Sequence, residues 1–414
     1  MRVAFVPGAF RPDRCGVSHY TERLMGELAR RGVECLVLTT YGAARHHGRP
    51  EVIGVTPDWG PAVLLALPAA LVRLRPDVLH IQHAAGSFGY RRMVLWLPAL
   101  LRAVFPGLRL AVTAHEYGWW EWRPRLFGSA WRRLGPWGEA RALWDREDGT
   151  LLTAADVVIT THQGAMQSLL ARLPQLASRI EHVRIGANIA EVAVDRGAAR
   201  AALRQQYGWE ADSFVFAYFG FLHPVKGLEV LLEAFQRLLA VRPRARLILA
   251  GGCQSLALDG EAGLSYEAGL RQRIARSGLE QAVRLTGYLS DEAVSAHLAG
   301  ADAGVLPFTG GVTLKSGSLL AMWTHGLPVV ATEPPVAEPP LRQASILVAR
   351  RDPRALEEGL LRVMDDPALR RDLAAKARAA AADFAWPTIA ERHLRIYERL
   401  AGATYRRCAW TADA

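Results

Sequence analysis

Short apolar runs alternate along this chain with longer stretches of helical spacing. Residues 1–8, MRVAFVPG, are an apolar run closed by Pro-Gly and read as a buried strand. A loop covers Ala9 to Cys15. In GVSHYTERLMGELARRG, residues 16–32, Val17, Tyr20, Leu24 and Leu28 fall on one face of a helix, and Gly32 closes it. ECLVLTT is the next strand, followed by Pro76–His83, Arg109–Glu116, Ala155–His162 and Glu181–Asn188. The pattern then restarts. Ser213–Gly220 is a strand and GLEVLLEAFQRLLAVRP a helix; ARLILAGG, AVRLTGYL, ADAGVLPF, LPVVAT and SILVAR follow as strands.

Strands that alternate with helices predict parallel sheets built from right-handed βαβ units. Two successive sets predict two doubly wound, Rossmann-like domains, in keeping with 414 residues, too many for one ordinary core. The expected boundaries are 1–190 and 191–385, with 386–414 as a terminal helix and tail. Residues 190–212 carry the linker. Ligands of open α/β sheets bind beyond the carboxyl ends of the strands, so two such edges facing each other would form one deep cleft.

Composition narrows the classes. Half the residues are hydrophobic and 22% are charged, as in a globular protein. The four cysteines are scattered without a C-x-x-C pair, which argues against a disulfide framework or zinc site and for a reducing cytoplasm. The first residues, MRVAFVPGAF, lack the apolar core and cleavage site of a signal peptide, and no run of about 18 apolar residues occurs. The net charge of +10 comes without a basic tail or nucleic-acid-binding motif, so phosphorylated ligands are expected rather than nucleic acid. Of the 50 basic residues, only Lys226, Lys315 and Lys376 are lysine, which draws attention to the positions that keep one.

Four places carry candidate chemistry. Gly16 and Val17 stand where a loop enters a helix, and backbone N–H groups there attract an anion. Phe219 to Leu228, FGFLHPVKGL, lies between a strand and a helix; Lys226 would present a point charge to a diphosphate, with Gly220 at the strand end and Gly227 opening the helix. Gly310 to Met322 follows another strand, and Thr313, Leu314, Lys315, Ser316 and Gly317 form a second anion cradle at a helix start. His115 ends a strand in the first half, where it would donate to a sugar hydroxyl or a phosphate oxygen. There is no G-x-G-x-x-G with its acid, no Walker lysine and no H-E-x-x-H. No D-x-D pair stands at a strand end, so no metal or other cofactor is expected; lysine, arginine and helix dipoles would meet the leaving charge.

In this order the motifs resemble the retaining glycosyltransferases of family 4, over essentially the whole chain. CGVSHYTERLMGELARRG resembles the first glycine loop and helix of that family, and HEY at 115–117 its strand-end histidine. ADVVITTH and RIGANI resemble the end of its first domain. GFLHPVKGLEVLLEAF resembles its diphosphate-lysine motif, and RLTGYLSDEAVSAHLAGADAGVLPF its base-binding strand with the helix that follows. The resemblance implies a GT-B fold, a final helix crossing back to the first domain, and a nucleoside diphosphate sugar as donor, UDP-sugar before GDP-sugar. It implies contacts of Gly16, Val17, Gly220 and Lys226 with the diphosphate, and of the Tyr288 and Leu289 backbone with the base. Thr313 to Gly317 would hold the distal phosphate or sugar, and His115 the transferred sugar. Retention follows from same-face attack assisted by the leaving phosphate, without a metal.

Two departures stand out. Phe221 occupies the place of the arginine that commonly precedes the lysine, leaving Lys315 or Arg14 to compensate. Val312 and Leu320 occupy the places of two glutamates that hold sugar and ribose hydroxyls. These departures keep a second class of function in view, a nucleotide-binding scaffold without catalysis. A GT-B epimerase is a third reading, but the carboxylates it would need are not evident.

Seven of the twelve tryptophans fall between Trp96 and Trp144. WWEWRPRLFGSAWRRLGPWGEARALWDRED directly follows His115; it either lines the acceptor side, with Trp119, Trp120 and Trp122 stacking on the acceptor, or packs on its own domain. Trp and Arg also suit a membrane interface, so residues 119–144 mark a peripheral contact with the inner face of the membrane. The acceptor class stays open among a small molecule, a glycan and a lipid-linked acceptor.

Overall fold

The structure is a computed structural model that describes residues 1–10, 15–118, 121, 128–192, 195–253 and 260–408. The chain divides into two units. Unit 1 comprises Met1–Ile185 and Trp386–Ala414, and unit 2 Gly186–Ala385.

Unit 1 is built on seven parallel strands: β1 (Arg2–Pro7), β2 (Glu34–Thr40), β3 (Val52–Thr56), β4 (Val78–His83), β5 (Arg109–Ala114), β6 (Val157–Thr160) and β7 (Ile180–His182), in the order β3-β2-β1-β4-β5-β6-β7. Side chains of a strand alternate between faces, and both faces of this sheet are covered. In β4, Leu79 and Ile81 join one core with Val63, Leu67 and Leu101; Val78 joins the other with Tyr20, Leu24 and Leu28 of the first helix, Gly16–Ala29. Ile389, Ala390, Ile396 and Tyr397 of the terminal helix, Trp386–Cys408, complete that second core.

The expected strand Glu181–Asn188 is a correction: only Ile180–His182 is strand. Its Glu-His-Val-Arg-Ile alternation has period two, but β7 is the sheet edge; after Val183 donates to the Thr160 carbonyl, the ladder ends and the chain leaves for unit 2. The strand Val52–Thr56 was not among those expected, because Gly54 interrupts a run of only five residues.

Unit 2 carries six parallel strands, β8 (Phe214–Phe219), β9 (Ala245–Ala250), β10 (Val283–Gly287), β11 (Ala303–Leu306), β12 (Val329–Thr332) and β13 (Ser345–Val348), in the order β10-β9-β8-β11-β12-β13. Both sheets run outward in both directions from their first strand. The chain reverses its winding between β1 and β4 in unit 1 and between β8 and β11 in unit 2, and in such sheets the crevice at the reversal is where ligands bind.

Candidate functional site

In unit 2 the loops beyond β8 and β11 are fastened to each other. The backbone N–H and hydroxyl of Thr309 both donate to the Val225 carbonyl, at 3.0 and 3.1 Å. Gly227 follows Lys226 with φ +68°, and a Cβ there would lie 2.1 Å from the Pro307 carbonyl oxygen, so only glycine lets the two loops close. It caps the helix Leu228–Val241 from outside rather than opening it.

This closure fixes Lys226. Its Nζ sits 3.8 Å from the Phe308 ring centroid, and it forms no ion pair among the described residues. Burial pushes its ammonium down to about 8. The lysine is a largely desolvated cation held against a ring face at the winding reversal, with no anion beside it among the described residues.

The other expected donor residues of unit 2 fall into a row along the same edge. Leu222 donates to the Gly252 carbonyl (3.0 Å), and a Cβ on Gly252 would lie 3.6 Å from Tyr288. Tyr288 and Leu289 join β10 to the helix Asp291–Gly300, and Tyr288 is exposed. On the other side, a Cβ on Gly220 would come within 2.8 Å of the Ser318 hydroxyl, in the first turn of the helix Gly317–Thr324. Gly251 was missed as a site residue: with φ +148° and a Cβ position 2.0 Å from the Gly220 carbonyl oxygen, it lets the ends of β8 and β9 press together. Its sequence signal is the Gly-Gly that ends ARLILAGG.

The cradle at 313–317 is partly filled from within. The Leu314 N–H donates to Glu338 at 2.6 Å, and the Ser316 N–H to the Thr313 carbonyl at 2.9 Å. The Lys315 N–H points at the Thr313 hydroxyl (3.4 Å). Ser316 caps the helix, and a Cβ on Gly317 would meet Asn188 at 3.2 Å. Burial raises the Glu338 carboxyl, against the Leu314 hydrogen bond. Val312 and Leu320 are wholly buried, as apolar side chains of the core. Glu338, which the sequence reading missed, is the carboxylate that reaches this loop.

In unit 1 the helix Gly16–Ala29 begins beyond β1 at Gly16, which is exposed and has open space where a Cβ would be. No acidic residue stands in its first turn, and the wholly buried Ser18 hydroxyl there has no hydrogen-bond partner among the described residues. Val17 is buried under the same turn. One turn on, the Tyr20 ring meets His115 edge-on at 4.9 Å, so the helix start and the strand-end histidine are neighbours. His115 is 6% exposed and its Nε2 lies 2.8 Å from the Gln82 Oε1.

The segment after His115 is anchored by buried charge. Glu147 accepts from the Gly118 N–H through both oxygens, at 2.8 and 3.0 Å, and Asp145 accepts from the Tyr117 hydroxyl. Arg172 reaches Glu139, Asp145 and Glu147 at 3.0, 3.2 and 3.1 Å. Asp148, wholly buried, faces His83 across 3.6 Å; burial foremost raises its carboxyl and lowers the His83 imidazole to about 4. The described part of the Trp-rich stretch packs on itself, with the Trp144 ring 6.1 Å from that of Trp131. Trp119, Trp120, Trp122 and Arg14 lie outside the described residues. No group of three or more His, Cys, Asp or Glu side chains among the described residues has the arrangement of a metal site.

Two doubly wound parallel sheets, each with a helix start and loops gathered at its winding reversal, define the GT-B class of glycosyltransferases. Two family models agree: "Glycosyltransferase Family 4" matches residues 15–191 and "Glycosyl transferases group 1" residues 213–366. The chain belongs to this glycosyltransferase family. It is 23% identical to the D-inositol 3-phosphate glycosyltransferase of Kineococcus radiotolerans, over 94% of this chain and 91% of the relative. It is 29% identical to the enzyme of that name from a Nocardioides species, over 60% of this chain and 55% of the relative. With the phosphatidyl-myo-inositol mannosyltransferase of Mycobacterium tuberculosis it shares 26% over 61% of this chain and 66% of the relative. Among solved structures, the sucrose-phosphate synthase of Thermosynechococcus elongatus matches with a TM-score of 0.70 at 19% identity, covering 97% of this chain and all of that one. Anabaena HepE in complex with UDP and glucose matches with a TM-score of 0.67 at 19% identity, covering 96% of this chain and 100% of that one.

Proposed function

We propose that the protein moves a sugar from a nucleoside diphosphate sugar, UDP-sugar in preference to GDP-sugar, to an acceptor hydroxyl with retention of configuration and without a metal. The observation that carries this reading is Lys226, a largely desolvated cation at the winding reversal of unit 2 that rests on the Phe308 ring and has no carboxylate partner among the described residues. A diphosphate supplies the missing charge. The exposed helix start at Gly16, with the backbone of buried Val17 following it and no acidic residue in the turn, suits a second anionic contact. In the reaction the bond from the anomeric carbon to the phosphate oxygen breaks as the bond to the acceptor oxygen forms on the same face. The acceptor proton passes to the departing phosphate, whose charge Lys226 and the helix dipoles stabilise. One solved protein of this fold, Anabaena HepE, has been captured with UDP and with UDP-glucose, which favours a uridine donor.

The test is a thermal-shift screen with UDP, GDP, ADP, dTDP and their sugar conjugates, without added metal. A selective rise in melting temperature for the uridine compounds is expected, since a ligand that binds only the folded state stabilises it. A flat response across the panel, with no hydrolysis of any nucleotide-sugar, would favour the noncatalytic scaffold.

For the acceptor, the relatives are named for an inositol phosphate and a phosphatidylinositol. An anionic acceptor of that kind fits the net charge of +10. The helix Gly128–Ala140 exposes Leu134 and Trp137 beside Arg132 and Arg133, and the Arg141 guanidinium lies 4.5 Å over the Trp137 ring. Apolar tips among arginines suit the surface of an anionic bilayer. No helix among the described residues is long and apolar enough to cross one. The protein is therefore expected to sediment with phosphatidylglycerol vesicles and not with phosphatidylcholine vesicles. A Leu134→Ser/Trp137→Ser variant should lose most of that binding; full retention would remove this helix from the contact.

A further inference from the structure

The face of the unit 1 sheet covered by the first and terminal helices carries an unusual load of polar groups. Along β4, Val78, His80 and Gln82 point to that face, and Thr113 and His115 continue it from the neighbouring β5. His80, Gln82, Thr113, His393 and Tyr397 are wholly buried, and Tyr20 is nearly so. A strand of Val and Ile would cover the same area without the cost of stripping water from these groups. They are instead bonded to one another.

Two chains of contact converge on His115. In the first, the Tyr397 hydroxyl meets His80 Nδ1 at 2.6 Å, and the other nitrogen of that ring meets the Thr113 hydroxyl at 2.8 Å. The Gln82 amide nitrogen rests against the His80 ring, 3.3 and 3.4 Å from its two nitrogens. With its amide so placed, Gln82 turns its carbonyl oxygen to His115 Nε2 at 2.8 Å. In the second, His393 Nδ1 donates to the Ile389 carbonyl at 2.9 Å, which makes Nε2 the acceptor for the Tyr20 hydroxyl at 3.2 Å. The Tyr20 ring then holds His115 edge-on. Both chains start on the terminal helix, at Tyr397 and His393, more than 270 residues along the chain from His115.

We propose that the terminal helix positions the His115 ring through these two buried relays, and that Gln82 sets its tautomer. A carbonyl oxygen only accepts, so His115 carries its proton on Nε2 and keeps the Nδ1 edge as an acceptor. Any sugar hydroxyl that meets Nδ1 would then find an acceptor there, the reverse of the donor role expected from sequence. Gln82, His80, Tyr397 and His393 are positioning residues. The inference rests on the reading of His115 as a sugar contact; the relays themselves do not.

Histidine-selective 15N NMR of the whole protein, with the His115 signal assigned from a His115→Ala sample, reads the tautomer directly. A neutral ring protonated on Nε2 is expected in the wild-type protein. Gln82→Met, which keeps the volume and removes the carbonyl, should give a mixture of tautomers; Gln82→Glu, which keeps an acceptor, should restore the Nε2–H form. Tyr397→Phe should shift the His115 signal without unfolding the protein. With UDP-glucose as probe, UDP release by Gln82→Met should fall about tenfold or more in kcat with donor KM within about twofold, as for a misplaced rather than a lost contact. A wild-type His115 protonated on Nδ1, or an unchanged spectrum and turnover in Gln82→Met, would overturn the proposal. If Gln82→Met fails to fold, the wild-type tautomer and the Tyr397→Phe shift decide. Normal turnover in His115→Ala, with the spectra as expected, would instead remove His115 from the site and the catalytic role of the relays with it.

Discussion

Replacing Lys226 with alanine is expected to lower sugar transfer at least tenfold, about 1.4 kcal/mol of barrier, while the protein stays folded. The loops that carry it are held by Thr309 and Val225 backbone contacts that do not involve the lysine side chain. Its ammonium is partly desolvated and set against the Phe308 ring with no counter-charge among the described residues, a cost that an anionic ligand would offset. Removing the charge should therefore help the empty protein and harm the loaded one. Lys226→Met is expected to raise the melting temperature at neutral pH and to abolish the further rise on adding nucleotide.

The sign of the pH effect follows from the shift. Folding lowers this lysine from 10.5 to about 8, so between those values the unfolded chain binds more protons than the folded one. The lysine's cost to stability is full below about pH 8 and is relieved as pH rises toward 10.5. The stability gap between Lys226→Met and wild type should close over that window, and donor affinity of the wild type should weaken above about pH 8 as the charge is lost. A wild-type transfer rate in Lys226→Ala, or donor affinity flat through that range, would sink the assignment of this residue to the diphosphate.

The second large effect concerns stability. Arg172→Met is expected to destabilise the fold by about 3–5 kcal/mol, because it takes from Asp145 and Glu147 a cation they share inside unit 1, while Glu139 keeps Arg146 at 2.7 Å. Asp145 and Glu147 have side-chain exposures of 0% and 1%, and Glu139 of 7%, so water cannot take the arginine's place. The measurement is denaturant unfolding at neutral pH. A loss below about 1 kcal/mol, the range of surface pairs, would show that the three carboxylates are not held by this guanidinium. Because Glu147 also holds the Gly118 backbone, partial loosening should reach the residues that follow His115.

The two sheets were legible because their strands are buried on both faces and read as unbroken apolar runs. The positions of Lys226 and the helix starts were legible for a related reason: a loop between a strand and a helix is marked within a few residues. What escaped depends on residues far apart. Nothing in EPPVAEPP shows that Glu338 will reach back 24 residues to the Leu314 amide. In the WDRED stretch the tryptophans and arginines left acceptor lining and packing on its own domain both open; that its acids turn inward depends on Arg172, on a later helix. His80 and Gln82 alternate with Leu79 and Ile81 as a strand should, but their partner Tyr397 lies 317 residues beyond His80. Val312 and Leu320 gained a plain explanation only in three dimensions, as wholly buried positions.

The discontinuity of unit 1 has a consequence for the newborn chain. Unit 2 is one continuous stretch and can close its core as soon as Ala385 has cleared the ribosome. Unit 1 is synthesised first but lacks Ile389, Ala390, Ile396 and Tyr397 until the end, so the flank of its sheet that carries His80 and Gln82 stays uncovered meanwhile. At about 5–20 residues per second, the intervening 200 residues of unit 2 take roughly 10–40 s to make. The second half of the sequence is thus the first able to mature, while the N-terminal half waits that interval with one flank of its sheet incomplete.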